Sequence, residues 1–224
     1  MIKKKPFLFP HPYNQAMSFS RGTRREDLKM ATQVGGQISS YSPVISFQES
    51  QLEDAFRWGE TIFYSPYQEL SSSPEMKVAI LTCMDCRIIT ASFGINHPGK
   101  AIIIRTAGGL FTSDTLRSLL IAIYDLGVRM VAIVGHNECG GRMSPEKMDL
   151  LIQKISSSRN ISKKEILAML GAKCASEALL GFDDEVSQVR GTVEKIRACS
   201  LIPGDIVIRG YLYDTKHGRI RKLI

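Results

Sequence analysis

Apolar residues cluster in four short continuous runs from Val78 onward. Val78-Ala79-Ile80-Leu81 is the first, Ala101-Ile102-Ile103-Ile104 the second and Met130-Val131-Ala132-Ile133-Val134 the third. The fourth lies within Asp205 to Tyr213, with a turn from Asp214 to Gly218 and a short final strand after it. Runs without polar alternation suit strands buried on both faces, as in a parallel sheet. Between them the period changes to that of helices. Leu116, Leu119, Leu120, Ile123 and Tyr124 follow Asp114, which is read as the cap, and Gly127 ends the segment. Ser144-Pro145-Glu146 starts a second helix, with proline at the first helical position. Ser162 and Glu165 have capping-box spacing for a third. A further helix begins near Asp183-Asp184, with Val186, Val189, Val193 and Ile196 on one face. Alternating strands and helices predict an α/β fold: a mainly parallel β-sheet core flanked by helices.

The first 48 residues show no sustained period and contain four prolines (Pro6, Pro10, Pro12, Pro43) among scattered glycines and serines. They are read as an extended or disordered N-terminal arm, 1–48, preceding a single domain, 49–224. Ser50 and Glu53 suggest a capping box for a short helix carrying Leu52, Ala55, Phe56 and Ile62, and Ser71-Ser72-Ser73-Pro74 breaks the chain after it. With 224 residues, 44% of them hydrophobic, one core is the expectation.

The net charge of +7 raises the question of nucleic acid until it is located. Lys3, Lys4, Lys5, Arg21, Arg24, Arg25 and Lys29 stand in the arm against only Glu26 and Asp27, so this stretch holds five of the seven net charges. The rest of the chain is nearly balanced. The arm reads as a solvated leader rather than a nucleic-acid-binding surface. No apolar run approaches the roughly 18 residues that a membrane helix needs. The N-terminal apolar stretch is too short and proline-broken for a signal peptide. Five cysteines, an odd and sparse set, argue against a disulfide scaffold and fit a reducing, cytoplasmic compartment.

Chemistry gathers just beyond the strands. Cys83-Met84-Asp85-Cys86-Arg87 follows the first, Arg105-Thr106-Ala107-Gly108-Gly109 the second, and Gly135-His136-Asn137-Glu138-Cys139-Gly140-Gly141 the third. In an open parallel sheet these loops share the carboxyl edge, where such folds place their sites. Two thiols, an imidazole, a carboxylate and two guanidiniums converge there. Two cysteines with one histidine form a known catalytic zinc set that leaves a tetrahedral position open. Alone, Cys83 would more often be a packed core residue than a ligand. Cys83-x-x-Cys86 also mimics a redox pair or zinc knuckle, a reading that leaves Asp85, His136 and Cys139 unexplained. Cys174 and Cys199 fall in expected helices and are read as packing.

Cys83-x-Asp85-x-Arg87 followed by His136-x-x-Cys139 resembles the signature of the beta-class carbonic anhydrases. The resemblance runs through Arg105-Thr106-Ala107-Gly108-Gly109 to Gly210-Tyr211-Leu212-Tyr213-Asp214, covering roughly Met76 to Ile220. Thr106 departs from it, standing where the family usually has Asn, and Cys86 sits where a small residue or proline is common. The resemblance implies one zinc per chain held by Cys83, His136 and Cys139. It implies that Asp85 and Arg87 form a catalytic dyad, with Asp85 accepting a hydrogen bond from zinc-bound hydroxide and Arg87 holding Asp85 clear of the metal. The reaction implied is reversible hydration of CO2 to bicarbonate and a proton. The family also has a closed form in which the aspartate itself binds zinc. A homodimer or larger homo-oligomer is implied, and the aromatic segment Phe56, Trp58, Phe63, Tyr64 is a candidate to reach the partner. Three alternatives stay open: hydrolysis of carbon disulfide or carbonyl sulfide on the same fold, a non-catalytic zinc module closed by Asp85, and nucleic-acid binding through the arm.

Overall fold

The computed structural model describes residues 70–95 and 98–224. The arm 1–48 and the helix expected after Ser50 lie outside the described residues. Five strands form one sheet in the order β2-β1-β3-β4-β5: β1 (Val78–Cys83), β2 (Ile102–Thr106), β3 (Met130–His136), β4 (Val207–Asp214) and β5 (Arg219–Lys222). The first four are mutually parallel, and β5 returns antiparallel to β4. The α/β class and the parallel core expected from the apolar runs are present. The strands begin or end one or two residues from the apolar limits, because backbone pairing continues into polar strand ends such as Arg105-Thr106.

Alternation along each strand divides the core between two faces. Ala79 and Leu81 of β1 join Val131 and Ile133 of β3 in one cluster. Against it pack α1 (Ser113–Tyr124) through Leu119, Ala122 and Ile123, and the final helix, α5 (Glu185–Ala198), through Val189, Val193 and Ile196. Ile80, Ala132 and Val134 face the other way, with Ile88, Ile95, Tyr213, Cys83 and Cys139. On this face Phe93 meets Tyr213 edge-on, ring centroids 5.1 Å apart. A third, separate core joins α2 (Pro145–Arg159), α3 (Lys163–Met169) and α4 (Ala175–Leu179) through Met148, Ile152, Ile166, Leu167 and Ala175.

Two local expectations are corrected. Thr112, not Asp114, caps α1: its Oγ1 accepts from Thr115 N, and Thr115 Oγ1 accepts from Thr112 N at 2.6 Å. Asp114 is the second residue of the helix and pairs with Arg117 at 3.2 Å instead. Cys174 is not packed within a helix. It is exposed at the start of α4, whereas Cys199 closes α5 and lies partly buried against the first core. The helices starting at Pro145 and at Lys163, with Ser144 and Ser162 as caps, match the sequence pattern. No helix among the described residues is long and apolar enough to cross a membrane.

Close packing of α5 on the sheet depends on Gly210 of β4. A Cβ there would stand 2.7 Å from Val189 Cγ1 and 2.8 Å from Ile224 Cγ2. Gly210→Ala is expected to lower unfolding free energy by about 1–3 kcal/mol through overpacking. Ile196→Ala, which empties a fully buried site, should lower it by about 2–5 kcal/mol. Urea denaturation measures both, and an unchanged midpoint in either would show that α5 does not pack as described.

Candidate metal centre

Parallel pairing of β1 with β3 sets Thr82 opposite Val134, so that Cys83 and His136 leave the sheet at the same edge. Thr82 Oγ1 donates to Val134 O at 2.8 Å and ties the two strand ends together. After His136 the chain makes a tight turn in which Glu138 adopts φ 53°, a left-handed conformation that a side chain with a Cβ rarely takes. The turn brings Cys139 back beneath the strand end. Cys83, His136 and Cys139 are all buried, and their ligand atoms lie within 4.8 Å of one another. The two sulfurs are 3.7 Å apart. Gly109, at φ 63°, lets the loop after β2 approach closely, since a Cβ there would be 3.1 Å from the Thr82 carbonyl carbon.

The imidazole is oriented for a ligand. His136 Nδ1 lies 2.9 Å from Asn137 O, and a carbonyl can only accept, so Nδ1 carries the proton. Nε2 then presents its lone pair toward the sulfurs, buried and with no hydrogen-bond partner among the described residues. An orphaned buried nitrogen beside two thiols is costly unless something accepts its lone pair. A borderline-soft cation such as zinc fits this donor set.

Without a metal the two thiols share their protons unequally. The hydrogen bond from Cys139 lowers Cys83 to about 4, against the opposing effect of burial and with further help from His136 and the backbone at Asp85 and Gly108. The same contact, together with burial, pushes Cys139 upward. Burial disfavours the His136 imidazolium, but the Cys83 thiolate and Asp85 outweigh it and raise the ring's pKa. The cluster thus concentrates negative charge in a buried place, which a cation would offset.

Asp85 stands beside the trio, with Oδ2 3.8 Å from His136 Nε2. Its Oδ1 accepts from Arg87 N and Arg87 Nε, both at 2.9 Å. Oδ2 accepts from Arg87 Nη2 at 2.7 Å. Each carboxylate oxygen has two acceptor sites, so Oδ1 is filled while Oδ2 keeps one lone pair on the histidine side. The Arg87 side chain holds the Asp85 carboxyl well below the usual carboxylate range, burial opposing and the Arg87 N–H adding to the effect. Asp85 in turn raises Arg87.

Every expected site residue is thus at one edge of the sheet. Cys86, by contrast, is exposed and outside the trio, so the Cys-x-x-Cys pairing is not formed. Arg105 does not face the trio. Its Nη2 donates to Ile88 O at 2.7 Å and braces the loop after β1. Thr106, at the departure from the family pattern, gives its carbonyl to Met84 N at 2.9 Å, while its buried hydroxyl has no partner among the described residues.

Sequence reasoning passed over several supporting groups. Glu138 O accepts from Arg87 Nη2 at 2.9 Å, and Lys216 Nζ reaches Glu138 Oε1 at 2.6 Å. Asn137 Oδ1 accepts from Thr215 N at 2.8 Å, pinning the β4–β5 turn to the His136–Cys139 loop. Glu185 Oε1 accepts from Cys139 N at 3.3 Å. These partners lie 46 to 78 residues apart, with no local pattern to announce them.

Comparison with known proteins places this centre among relatives. A family model described as carbonic anhydrase matches residues 78–220. The Bacillus subtilis putative carbonic anhydrase YtiB is 29% identical over 185 residues, covering 78% of this chain and 97% of that one. A carbon disulfide hydrolase of Acidithiobacillus thiooxidans is 30% identical over 152 residues, covering 63% of this chain and 70% of the relative. The crystal structure of beta-carbonic anhydrase isoform I from Trichomonas vaginalis superposes with a TM-score of 0.67 at 28% identity, covering 80% of this chain and 98% of that one. A match spanning all four parallel strands and the whole buried trio leaves one assignment: the chain belongs to the beta-class carbonic anhydrase family.

Proposed function

We propose that this protein is a zinc enzyme that hydrates CO2 reversibly to bicarbonate and a proton. The observation that carries the reading is the buried Cys83–His136–Cys139 trio with an ionised, Arg87-bound carboxylate at its side. Cys83, His136 and Cys139 would hold one zinc per chain. When bound, zinc supplies the Lewis acidity that makes water a nucleophile near neutral pH. Asp85 Oδ2, with its free lone pair, accepts a hydrogen bond from the attacking water and fixes its orientation toward carbon. Arg87 keeps Asp85 in place by occupying its remaining acceptor sites. The thiolates offset much of the metal's charge, so this orientation matters more than at an all-histidine site.

Carbon disulfide hydrolysis is the second reading, favoured by the hydrolase relative. The same oriented water would attack carbon, and two waters would convert carbon disulfide to CO2 and two molecules of hydrogen sulfide. Stopped-flow CO2 hydration and sulfide release from carbon disulfide, measured on one zinc-loaded preparation, separate the two. CO2 turnover with no sulfide release supports the first; sulfide release without CO2 hydration replaces it with the second; neither would leave a zinc module. We also infer a cytosolic setting, in line with five unpaired cysteines, and a homodimer or larger assembly. Light scattering should give at least twice the 24.9 kDa chain mass, and a monomer at micromolar concentration would refute that assembly.

Cys139→Ala should lose zinc and activity together, whereas Cys86→Ser should keep both; metal analysis checks the pair. Full zinc occupancy in Cys139→Ala would remove that residue from the centre. Asp85→Asn and Arg87→Ala should each retain zinc and lose about 10²-fold or more in turnover. The sign of the Arg87 effect is fixed by charge. Removing the guanidinium lets Asp85 rise toward its ordinary value of about 3.9, still below a neutral assay. Asp85 therefore stays ionised, and the loss comes from orientation rather than protonation. Near-parental rates in either variant would refute the dyad.

A further inference from the structure

Arg87 is held on two sides, and only one of them is Asp85. Its Nη2 donates to Glu138 O at 2.9 Å as well as to Asp85. Its Nη1 lies 3.7 Å from Glu138 Oε2. The other oxygen of that carboxylate is bound by Lys216 Nζ at 2.6 Å. Lys216 in turn sits on the β4–β5 turn, which Asn137 clamps to the same loop through Thr215 N at 2.8 Å and Thr215 Oγ1 at 3.1 Å. Charges thus alternate from the surface inward: Lys216, Glu138, Arg87, Asp85.

We propose that Glu138, anchored by Lys216, is a positioning residue that fixes Arg87 and through it the Asp85 carboxylate. The proposal rests on the reading of Asp85 and Arg87 as the catalytic dyad. Two independent features of Glu138 support it. Its backbone is left-handed, φ 53°, where glycine or asparagine would be at ease, and that conformation aims its carbonyl at Arg87 Nη2. Its carboxylate spans two cations, with Lys216 Nζ on one oxygen at 2.6 Å and Arg87 Nη1 3.7 Å from the other. The Glu138 side chain is 54% exposed and Lys216 62%, so their ion pair adds little to fold stability. What it restricts is the freedom of the Arg87 side chain, itself 43% exposed. Without Glu138, Arg87 has alternatives in solvent, and Asp85 is released to compete for the open metal position.

The test compares the parent with Glu138→Gln, Glu138→Gly and the charge swap Glu138→Lys with Lys216→Glu. Glutamine keeps the shape and backbone preference of glutamate while removing its charge, and glycine removes the side chain while suiting the left-handed backbone. The readouts are metal content, thermal midpoint, kcat and KM for CO2 and carbon disulfide, and azide titration of the cobalt(II)-substituted protein by its visible spectrum. Glutamine and glycine should keep one metal per chain and a parental midpoint. They should lower kcat about tenfold with KM unchanged, and weaken azide binding about tenfold as Asp85 competes for cobalt. The swap restores the ion pair between positions 138 and 216 but presents an ammonium to Arg87, so kcat and azide affinity should stay low. Parental kcat and azide affinity in glutamine and glycine variants would overturn the proposal. Recovery of both in the swap would also overturn it, since the pair would then merely staple loop to turn. If the parent turns over neither substrate, the proposed function fails by itself, and the azide comparison still decides the role of Glu138.

Discussion

Parallel pairing of β1 with β3 is the constraint on which the centre depends. Two strands running the same way end at the same edge, so a cysteine at one terminus and a histidine at the other meet without any special loop. An antiparallel pair would carry them to opposite edges. The pairing is enforced by burial. Ala79, Leu81, Val131 and Ile133 face one core while Ile80, Ala132 and Val134 face another, so a one-residue slip would turn each set to the wrong side. The Thr82 hydroxyl on Val134 O adds a directional tie at the point where the strands finish.

The fold accepts several unfavourable features at that edge. It buries a nitrogen without a partner among the described residues, gathers negative charge on the buried Cys83 thiolate and holds Glu138 in a left-handed conformation. A buried polar atom is ordinarily paired, and a left-handed backbone ordinarily falls on glycine. The concentration of these features within one loop and one strand end separates this place from the apolar clusters around it. A cation would relieve the first two features at once. The third has its counterpart in the Arg87 contact that the conformation makes possible.

The scaffold that builds the centre does not choose the substrate. Relatives on this fold include carbonic anhydrases and a carbon disulfide hydrolase. Leu110, Phe182 and α5 from Ser187 to Lys195 border a cavity of about 560 Å³, and Leu110 and Phe182 also pack at Gly108. Phe182 packs with the same apolar face as Cys83 and Cys139.

The sequence by itself determined the α/β class, the strands near Val78, Ile102, Met130 and Val207, and the identity of the buried trio. It could do so because continuous apolar runs and the spacing of Cys83, Asp85, Arg87, His136 and Cys139 are local signals that need no neighbour to be read. It misjudged Asp114, because a capping threonine two residues earlier competes for the same backbone N–H groups, and it counted two guanidiniums among the groups converging at the edge, whereas Arg105 reaches back to Ile88 O. Only the tertiary structure decided which Asp85 oxygen is free, which imidazole nitrogen faces the sulfurs, and that Glu138, Lys216 and Asn137 brace the centre. Those facts depend on contacts between residues up to 78 positions apart, and a hydrogen bond across that distance leaves no periodic trace in the chain.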